Sequence, residues 1–183
     1  MNYKNLRIIL LLVIIVASVA LNIKSIGKYF YPIKYSSYVY KYSAKYNLDP
    51  YFVAAVIRTE SNFNPKAKSN KDAYGLMQIT SSTGQWASAK MGNNGFNANN
   101  LYDAEYNISM GCWYLGNLRD EFKDLDLVAA AYNGGSGNVR KWLSSAKHSI
   151  DGKKLHYIPF PETDKYVKKI RFSYNIYKWI YGK

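Results

Sequence analysis

The sequence predicts a mainly α-helical domain, with at most a small β element, behind an N-terminal membrane segment. Three observations support this: apolar residues recur at helical spacing, no long stretch alternates apolar with polar residues, and residues 8–23 are almost wholly apolar. The chain has 183 residues, 48% of them hydrophobic and 20% charged. This composition suits one globular domain and argues against a disordered chain.

The N-terminal segment is predicted to enter a membrane. Residues 8–23 contain only Ser18 and Asn22 as polar side chains, and basic residues flank both ends. As a helix they would cover most of a hydrocarbon core of about 30 Å. We interpret residues 1–23 as an uncleaved signal-anchor. The alternative is a signal peptide that is removed at the small-residue pattern ending at Ala20.

The expected organisation is a signal segment at 1–23, a tether at 24–37 and one domain at 38–183. With an uncleaved anchor, the domain stays attached to the cell membrane by a single pass. With cleavage it is secreted. Both interpretations place the domain outside the cytoplasm.

The composition excludes several classes of protein. Lys and Arg number 25 against 12 Asp and Glu, a net charge of +13, which favours an anionic partner such as nucleic acid, phospholipid or a polyanionic cell wall. A single cysteine excludes an internal disulfide, and with two histidines it leaves too few ligands for a usual zinc site. Composition therefore argues against redox and zinc chemistry, and the function implied by the resemblance described below needs neither a metal nor an organic cofactor.

Most of the predicted helices begin at a capping side chain. Such helices are predicted from Ser36 or Ser37 to about 46, from Asp49 with Pro50 to about 61, from Ser81 or Ser82 towards 90, from Asp103 to about 122, from Asp126 through 132 and from Ser136 to about 144. Polar loops are expected at 62–74 and 91–102.

The last helix is predicted over about 163–181, behind Pro159 and Pro161. Its first apolar stripe consists of Tyr166, Ile170, Tyr174, Tyr177 and Tyr181. A second stripe consists of Phe172, Ile176 and Trp179. Apolar residues on two sides predict that this helix is largely enclosed.

Glu60 is the candidate for chemistry. It lies seven residues after Val53, four after Val56 and three after Ile57, so it falls on the apolar face of its helix. An ionised carboxylate on such a face must find a partner, or its pKa rises and it stays protonated as a general acid. The plainer alternative is a structural glutamate that pairs with a basic residue or reaches solvent at the helix end.

Four blocks of sequence resemble the catalytic domain of the soluble lytic transglycosylases, in the lysozyme superfamily. The blocks are ESNFNPKA at 60–67, AYGLMQI at 73–79, AAYNGG at 130–135 with GNV at 137–139, and ET at 162–163 with YV at 166–167. They stand in that family's order, and the resemblance covers roughly residues 38–178. One departure is Tyr74, where the family commonly has a small residue.

The resemblance implies a lysozyme-like helical fold and a lyase-type activity on peptidoglycan. The family cuts the β-1,4 bond between N-acetylmuramic acid and N-acetylglucosamine without water, leaving 1,6-anhydro-N-acetylmuramic acid. By similarity, Glu60 is the catalytic residue, acting first as acid and then as base, because the substrate's own 6-hydroxyl is the nucleophile. Asp72 is the nearest candidate for a second acid, and we interpret it as a solvated surface residue.

Seven further residues are substrate-binding by similarity: Ser61, Gly75, Met77, Gln78, Tyr132, Asn133 and Tyr166. Each has a structural alternative. Ser61 could simply end its helix, Gly75 could serve a turn, and Met77 could fill the core. Asn133 before two glycines also suits a helix end, and Tyr166 also suits packing.

Three other functions remain open at this point. One is a hydrolytic muramidase like goose-type lysozyme, which would use the same acid with water as nucleophile. Another is a catalytically silent peptidoglycan-binding module. The third is nucleic-acid binding, which is supported only by the tyrosine and lysine content of the chain. The membrane segment argues against it. The basic segments 66–71 and 165–171 are expected to be solvated and to attract anionic wall polymers.

Overall fold

A computed structural model describes residues 2–93 and 95–182 of the chain. Helix α1 (Tyr3–Phe30) contains the apolar N-terminal run and is long and apolar enough to cross a membrane. At about 1.5 Å per residue its 28 residues extend about 42 Å. The helix therefore continues past the apolar run, through the first part of the segment expected to be a tether.

The rest of the described chain is mainly helical, as predicted. Its helices are α2 (Ser36–Lys45), α3 (Pro50–Ser61), α4 (Ser81–Lys90), α5 (Ala104–Phe122), α6 (Leu125–Gly134), α7 (Ser136–Leu143) and α8 (Pro161–Tyr181), with a 3-10 helix at Ala98–Tyr102. Strands β1 (Ala73–Tyr74) and β2 (Ile79–Thr80) pair antiparallel, with Ala73 opposite Thr80 and Tyr74 opposite Ile79.

Helix α3 lies at the centre of the domain. Six consecutive residues from Phe52 to Ile57 are buried, so this helix is enclosed on all sides over its middle turns. It packs chiefly on α8 and also on α2, while α6 packs on α5, α7 and α8. The arrangement brings the C-terminal end of α3 beside the N-terminal half of α8.

The structure confirms two of the predicted caps and corrects others. Asp49 and Asp103 accept hydrogen bonds from the backbone at the starts of α3 and α5. Asp126 does not cap α6: Asp124 does, because its carboxylate receives the backbone N–H groups of residues 126 and 127. Asp126 instead pairs with Arg171 of α8.

Three further expectations about helix starts change. Tyr35, in a left-handed conformation, precedes α2 in place of a serine cap, and Thr80 caps α4. Pro161 occupies the first turn of α8, so the helix starts two residues earlier than predicted.

The prediction that α8 is largely enclosed is wrong. Its first apolar stripe is inside the core, where Tyr166, Ile170 and Tyr177 are all buried. Its second stripe is not covered: Phe172 is 63% exposed and Trp179 is 51% exposed. The described domain packs on only one side of this helix.

Candidate active site

Glu60 is the penultimate residue of α3 and lies at the end of the buried helix. The chain leaves the helix sharply there, because Asn62 and Phe63 both adopt positive φ angles. Glu60 is half-buried and borders a cavity of about 290 Å³. That cavity is lined by Thr59, Glu60, Asn133, Glu162, Lys165, Tyr166 and Lys169.

The environment of Glu60 favours its protonated form. Burial raises the pKa of Glu60 from 4.5 to about 7, and the nearby charge of Glu162 acts in the same direction. Tyr166 opposes both effects, because its hydroxyl donates a 2.7 Å hydrogen bond to Oε1 of Glu60 and so stabilises the carboxylate. Glu60 can therefore hold a proton near neutral pH and can also release it.

The second carboxylate in the cavity is Glu162, not Asp72. Glu162 lies in the first turn of α8, and both of its oxygens are 3.0 Å from Nζ of Lys71. Asp72 is exposed and accepts a hydrogen bond from Tyr74, which lowers its pKa. Sequence reasoning placed Glu162 in a matched block but did not identify it as the second carboxylate, because folding, rather than sequence proximity, brings α8 to Glu60.

The hairpin loop between β1 and β2 is held against the C-terminal end of α3, which carries Glu60. Ser61 Oγ donates to the backbone oxygen of Leu76 at 2.7 Å, and it also bonds back to Ile57 O at 3.2 Å. From the opposite side, Tyr132 of α6 donates its hydroxyl to the backbone oxygen of Met77 at 2.7 Å. Ser61 and Tyr132 thus fix the loop beside Glu60.

Met77 and Gly75, both predicted to bind substrate, are surrounded by other protein atoms. Met77 is fully buried and packs against Gly111 of α5, so its thioether lies in the core. Gly75 is buried, with φ of +72°, and a Cβ there would collide with the Leu101 carbonyl oxygen and with Asn107. Gly75 permits close packing within the protein.

Gln78 and Asn133 are both half-buried and held by hydrogen bonds. The amide nitrogen of Gln78 donates to Gly75 O at 3.0 Å and to Ala67 O at 3.2 Å. The amide oxygen of Asn133 accepts from Thr163 Oγ1 at 2.8 Å. Asn133 also borders an adjoining cavity of about 410 Å³, which shares Glu162 with the first.

Asn107 supports the hairpin loop and was not found from sequence. It is completely buried, its Oδ1 accepts from Met77 N at 2.8 Å, and its Nδ2 donates to Tyr74 O and Leu101 O at 2.9 and 2.8 Å. The sequence feature that could have indicated this role of Asn107 is an amide side chain in the first turn of a helix, next to Ile108.

A row of aromatic rings leads away from Tyr132. Tyr114 lies 5.4 Å from Tyr132, and Trp86 packs edge-on against both Tyr114 and Trp113. Trp86 is 46% exposed.

A larger cavity of about 720 Å³ lies near the start of α6. None of the residues that line the Glu60 cavity lines this larger one.

Residues 37–154 match the family described as the transglycosylase SLT domain. The chain is 33% identical over 155 residues to the soluble lytic murein transglycosylase of Escherichia coli K12, covering 83% of this chain and 24% of that protein. It is 37% identical over 124 residues to membrane-bound lytic murein transglycosylase C of Shigella sonnei, covering 62% of this chain and 34% of that protein.

Solved structures show the same fold. The 70 kDa soluble lytic transglycosylase of Escherichia coli superposes with a TM-score of 0.76 at 29% identity, over 86% of this chain and 26% of that one. An inactive mutant of the lytic transglycosylase Slt of Pseudomonas aeruginosa gives 0.72 at 30% identity, over 81% of this chain and 24% of that one.

The chain thus spans about a quarter of the length of the soluble relatives. The matched part contains the end of α3, the hairpin loop and the end of α6, which together surround Glu60. The chain belongs to the transglycosylase SLT-domain family.

Proposed function

We propose that this chain is a membrane-anchored peptidoglycan lytic transglycosylase. It cleaves the β-1,4 bond between N-acetylmuramic acid and N-acetylglucosamine and leaves a 1,6-anhydro end on the muramic acid. The observation that carries the proposal is a glutamate at the border of a cavity, with a pKa of about 7 and a tyrosine hydroxyl on one of its oxygens.

In the first step Glu60 acts as the acid. Because Tyr166 donates to Oε1, the proton of the neutral carboxyl group is placed on Oε2. Glu60 gives this proton to the glycosidic oxygen, and the bond between that oxygen and C1 of the muramic acid breaks. The N-acetylglucosamine leaves as the free alcohol, and positive charge develops at C1.

In the second step the Glu60 carboxylate acts as the base. It takes the proton of the muramic acid 6-hydroxyl while that oxygen forms a new bond to C1. Atoms and charges balance without water, and Glu60 regains its proton. Tyr166 stabilises the carboxylate between the two steps, which is what its opposing influence on the pKa of Glu60 indicates.

The proposed substrate contacts are Asn133, which lines the Glu60 cavity, and Gln78 and Trp86, which lie outside its lining. Asn133 and Gln78 supply amides for the sugar substituents, and the exposed face of Trp86 supplies a stacking surface. Ser61 and Tyr132 position the hairpin loop, while Met77 and Gly75 contribute through packing.

The proposed organisation places residues 1–23 in the cytoplasmic membrane and the catalytic domain, residues 38–183, on the side of the cell wall. The length and composition of α1 support an anchor, and one relative is named a membrane-bound enzyme. With a net charge of +13, the chain is attracted to anionic wall polymers as well as to glycan strands.

The test is product analysis by mass spectrometry after incubation of the full chain with purified peptidoglycan. We expect fragments with anhydro ends, and we expect E60Q to lower kcat by a factor of about 10²–10⁴. The matched variant E162Q changes the other carboxylate in the cavity and should keep the anhydro product. Reducing ends as the main product would identify a hydrolase and overturn the proposal, as would full activity of E60Q.

A further inference from the structure

Helix α8 exposes an apolar stripe on the side that faces away from the core. Phe172 and Trp179 are 63% and 51% exposed, and half-buried Ile176 lies between them at helical spacing. The three side chains extend over about 10 Å of helix at 1.5 Å per residue. A contiguous row of exposed apolar side chains is typical of a surface that contacts another apolar surface. The elements next to the stripe indicate what that surface is.

The stripe ends where α8 meets the membrane-spanning helix. A Cβ on Gly27 of α1 would lie 2.9 Å from the end of the side chain of Ile180, the residue after Trp179, so the two helices are in close contact here. Tyr181 donates its hydroxyl to Tyr31 O at 2.9 Å. These contacts fix the last turn of α8 against the end of α1.

A second cluster of contacts stiffens the same junction. The guanidinium of Arg58 lies 3.9 Å from the centre of the Tyr31 ring and donates to Phe30 O at 3.3 Å. Arg58 belongs to α3, the central helix of the domain. The end of α1 is therefore bonded to the domain itself and does not hang from a free linker.

Aromatic and basic side chains surround this junction. Tyr29 and Phe30, at the end of α1, are 81% and 63% exposed, and Lys28 lies over the Tyr181 ring at 5.5 Å. After Asp164, α8 carries five basic residues and no acidic one. Exposed tryptophan and tyrosine beside lysine are typical of protein surfaces at the level of lipid headgroups.

We propose that the stripe formed by Phe172, Ile176 and Trp179 rests in the headgroup region of an anionic phospholipid bilayer, the same bilayer that α1 spans. Tyr29 and Phe30 lie at the same level, and Lys28 and Lys178 face the lipid phosphates. This inference rests on the proposed anchoring by α1. It adds a second contact that holds the domain down on the membrane surface.

The contact would restrict where the enzyme can cut. Lys165 and Lys169, which line the Glu60 cavity, occupy the N-terminal half of the same helix. Lys169 precedes Trp179 by ten residues, or about 15 Å of helix. The cavity is thereby held close to the bilayer, where it meets the glycan strands nearest to the membrane.

The test uses the full chain in liposomes of phosphatidylglycerol and phosphatidylcholine, with a polarity-sensitive fluorophore on one introduced cysteine. The native Cys112 is fully buried, and burial raises the pKa of its thiol, so it does not compete for the label. Labels replace Phe172 or Trp179 (F172C, W179C). The matched control, K153C, labels an exposed loop residue, and I14C labels the middle of α1.

We expect labels at 172 and 179 to shift their emission to the blue and to be quenched by lipids that carry a headgroup-level spin label, whereas the label at 153 does neither. Liposomes of phosphatidylcholine alone should weaken the effect, because the lysines then lack anionic partners. If the label at 14 is quenched by lipid but those at 172 and 179 are not, the surface contact is wrong and the anchor stands.

Two other results would overturn the inference. A label at 14 that stays in water would remove the anchor and the surface contact together, while leaving the product assay for the enzymatic activity unaffected. Energy transfer between labels at 179 on different molecules, without quenching by lipid, would show that a second copy of the chain covers the stripe.

Discussion

At the scale of single residues, the account depends on what surrounds the Glu60 carboxyl group. The spacing of Glu60 from Val53, Val56 and Ile57 predicted that it lies on the buried face, and the structure places it at the edge of the core beside a cavity. By similarity Tyr166 was expected at the site, but the raising effect of Glu162 on the pKa of Glu60 was not predictable, because no local pattern links two residues about 100 positions apart.

The pH dependence of the reaction should follow the protonated form of Glu60. Since the acid must hold its proton in the free enzyme, we expect kcat/KM to fall above about pH 7. In Y166F the hydrogen bond that favours the carboxylate is lost, so the pKa of Glu60 rises and the falling limb moves to higher pH. Rates measured on labelled peptidoglycan between pH 4 and 9 check this.

Tyr132 provides the matched control for Tyr166. Its hydroxyl bonds to Met77 O and not to Glu60, so Y132F should leave the midpoint of the profile in place. A midpoint that stays fixed in Y166F, or moves as far in Y132F, would show that Tyr166 does not set the pKa of the acid.

Glu60 should also cost the protein stability at high pH. Between pH 4.5 and about 7 the folded chain keeps a proton that the unfolded chain has released, so the free energy of unfolding decreases as pH rises through that window. Gln is neutral throughout. We therefore expect E60Q to be more stable than the wild type above pH 7, by at most about 3 kcal/mol, with little difference below pH 4.5.

Chemical denaturation at pH 4.5 and pH 8 measures this difference. The control is Glu105, whose pKa is lowered by hydrogen bonds from Lys41 and Tyr42, so its contribution to stability is lost only below pH 4.5 and E105Q should differ from the wild type by nearly the same amount at pH 4.5 and pH 8. Equal effects of E60Q at both pH values would contradict the raised pKa of Glu60.

Among the elements, the hairpin loop 75–78 packs against the end of α3. This contact explains why the AYGLMQI block occurs together with the block that begins at Glu60. The block was visible from sequence, but its structural reason was not. Asn107 bonds to Met77 and Tyr74, which lie 30 and 33 residues earlier in the chain, and to Leu101, six residues earlier. Ser61 and Tyr132 hold the loop from two different helices. Such long-range hydrogen bonds leave no local pattern.

The loop should tolerate no side chain at Gly75. G75A places a Cβ against the Leu101 carbonyl and Asn107 at a positive φ, so both strain and overlap oppose folding. We expect a loss of about 3 kcal/mol in the free energy of unfolding and a lower kcat. G92A is the control, because Gly92 also has a positive φ but has open space beside it, and should lose only about 1 kcal/mol. Equal losses in the two variants would show that packing at Gly75 is unimportant.

Helix α8 is a second element whose surroundings were not predictable from sequence, since it is not enclosed on both sides. Periodicity correctly identified two apolar stripes on this helix, but it could not tell whether each stripe faces protein. One stripe packs on α3 and α6, whereas Phe172 and Trp179 lie on the surface next to α1. A helix with two apolar sides can thus lie between a protein core and a second apolar environment.

At the scale of the whole molecule, a helical domain of the lysozyme-like type is attached to a helix long enough to span a bilayer. Periodicity was sufficient to predict a mainly helical domain, since helices are local, whereas the lysozyme-like type was implied only by the resemblance of the four sequence blocks. The orientation of the domain against α1 was not predictable, because it depends on Gly27, Tyr31 and Arg58 meeting α8 and α3 at one junction.

Carboxyl NMR measures whether Glu60 is protonated near neutral pH. The chain has four glutamates, Glu60, Glu105, Glu121 and Glu162, so selective ¹³C labelling of glutamate carboxyl groups gives few resonances, and E60Q assigns the one that matters. We expect that resonance to titrate with a midpoint near pH 7. A midpoint near 4.5 would mean that Glu60 is ionised at neutral pH, and the mechanism would be wrong.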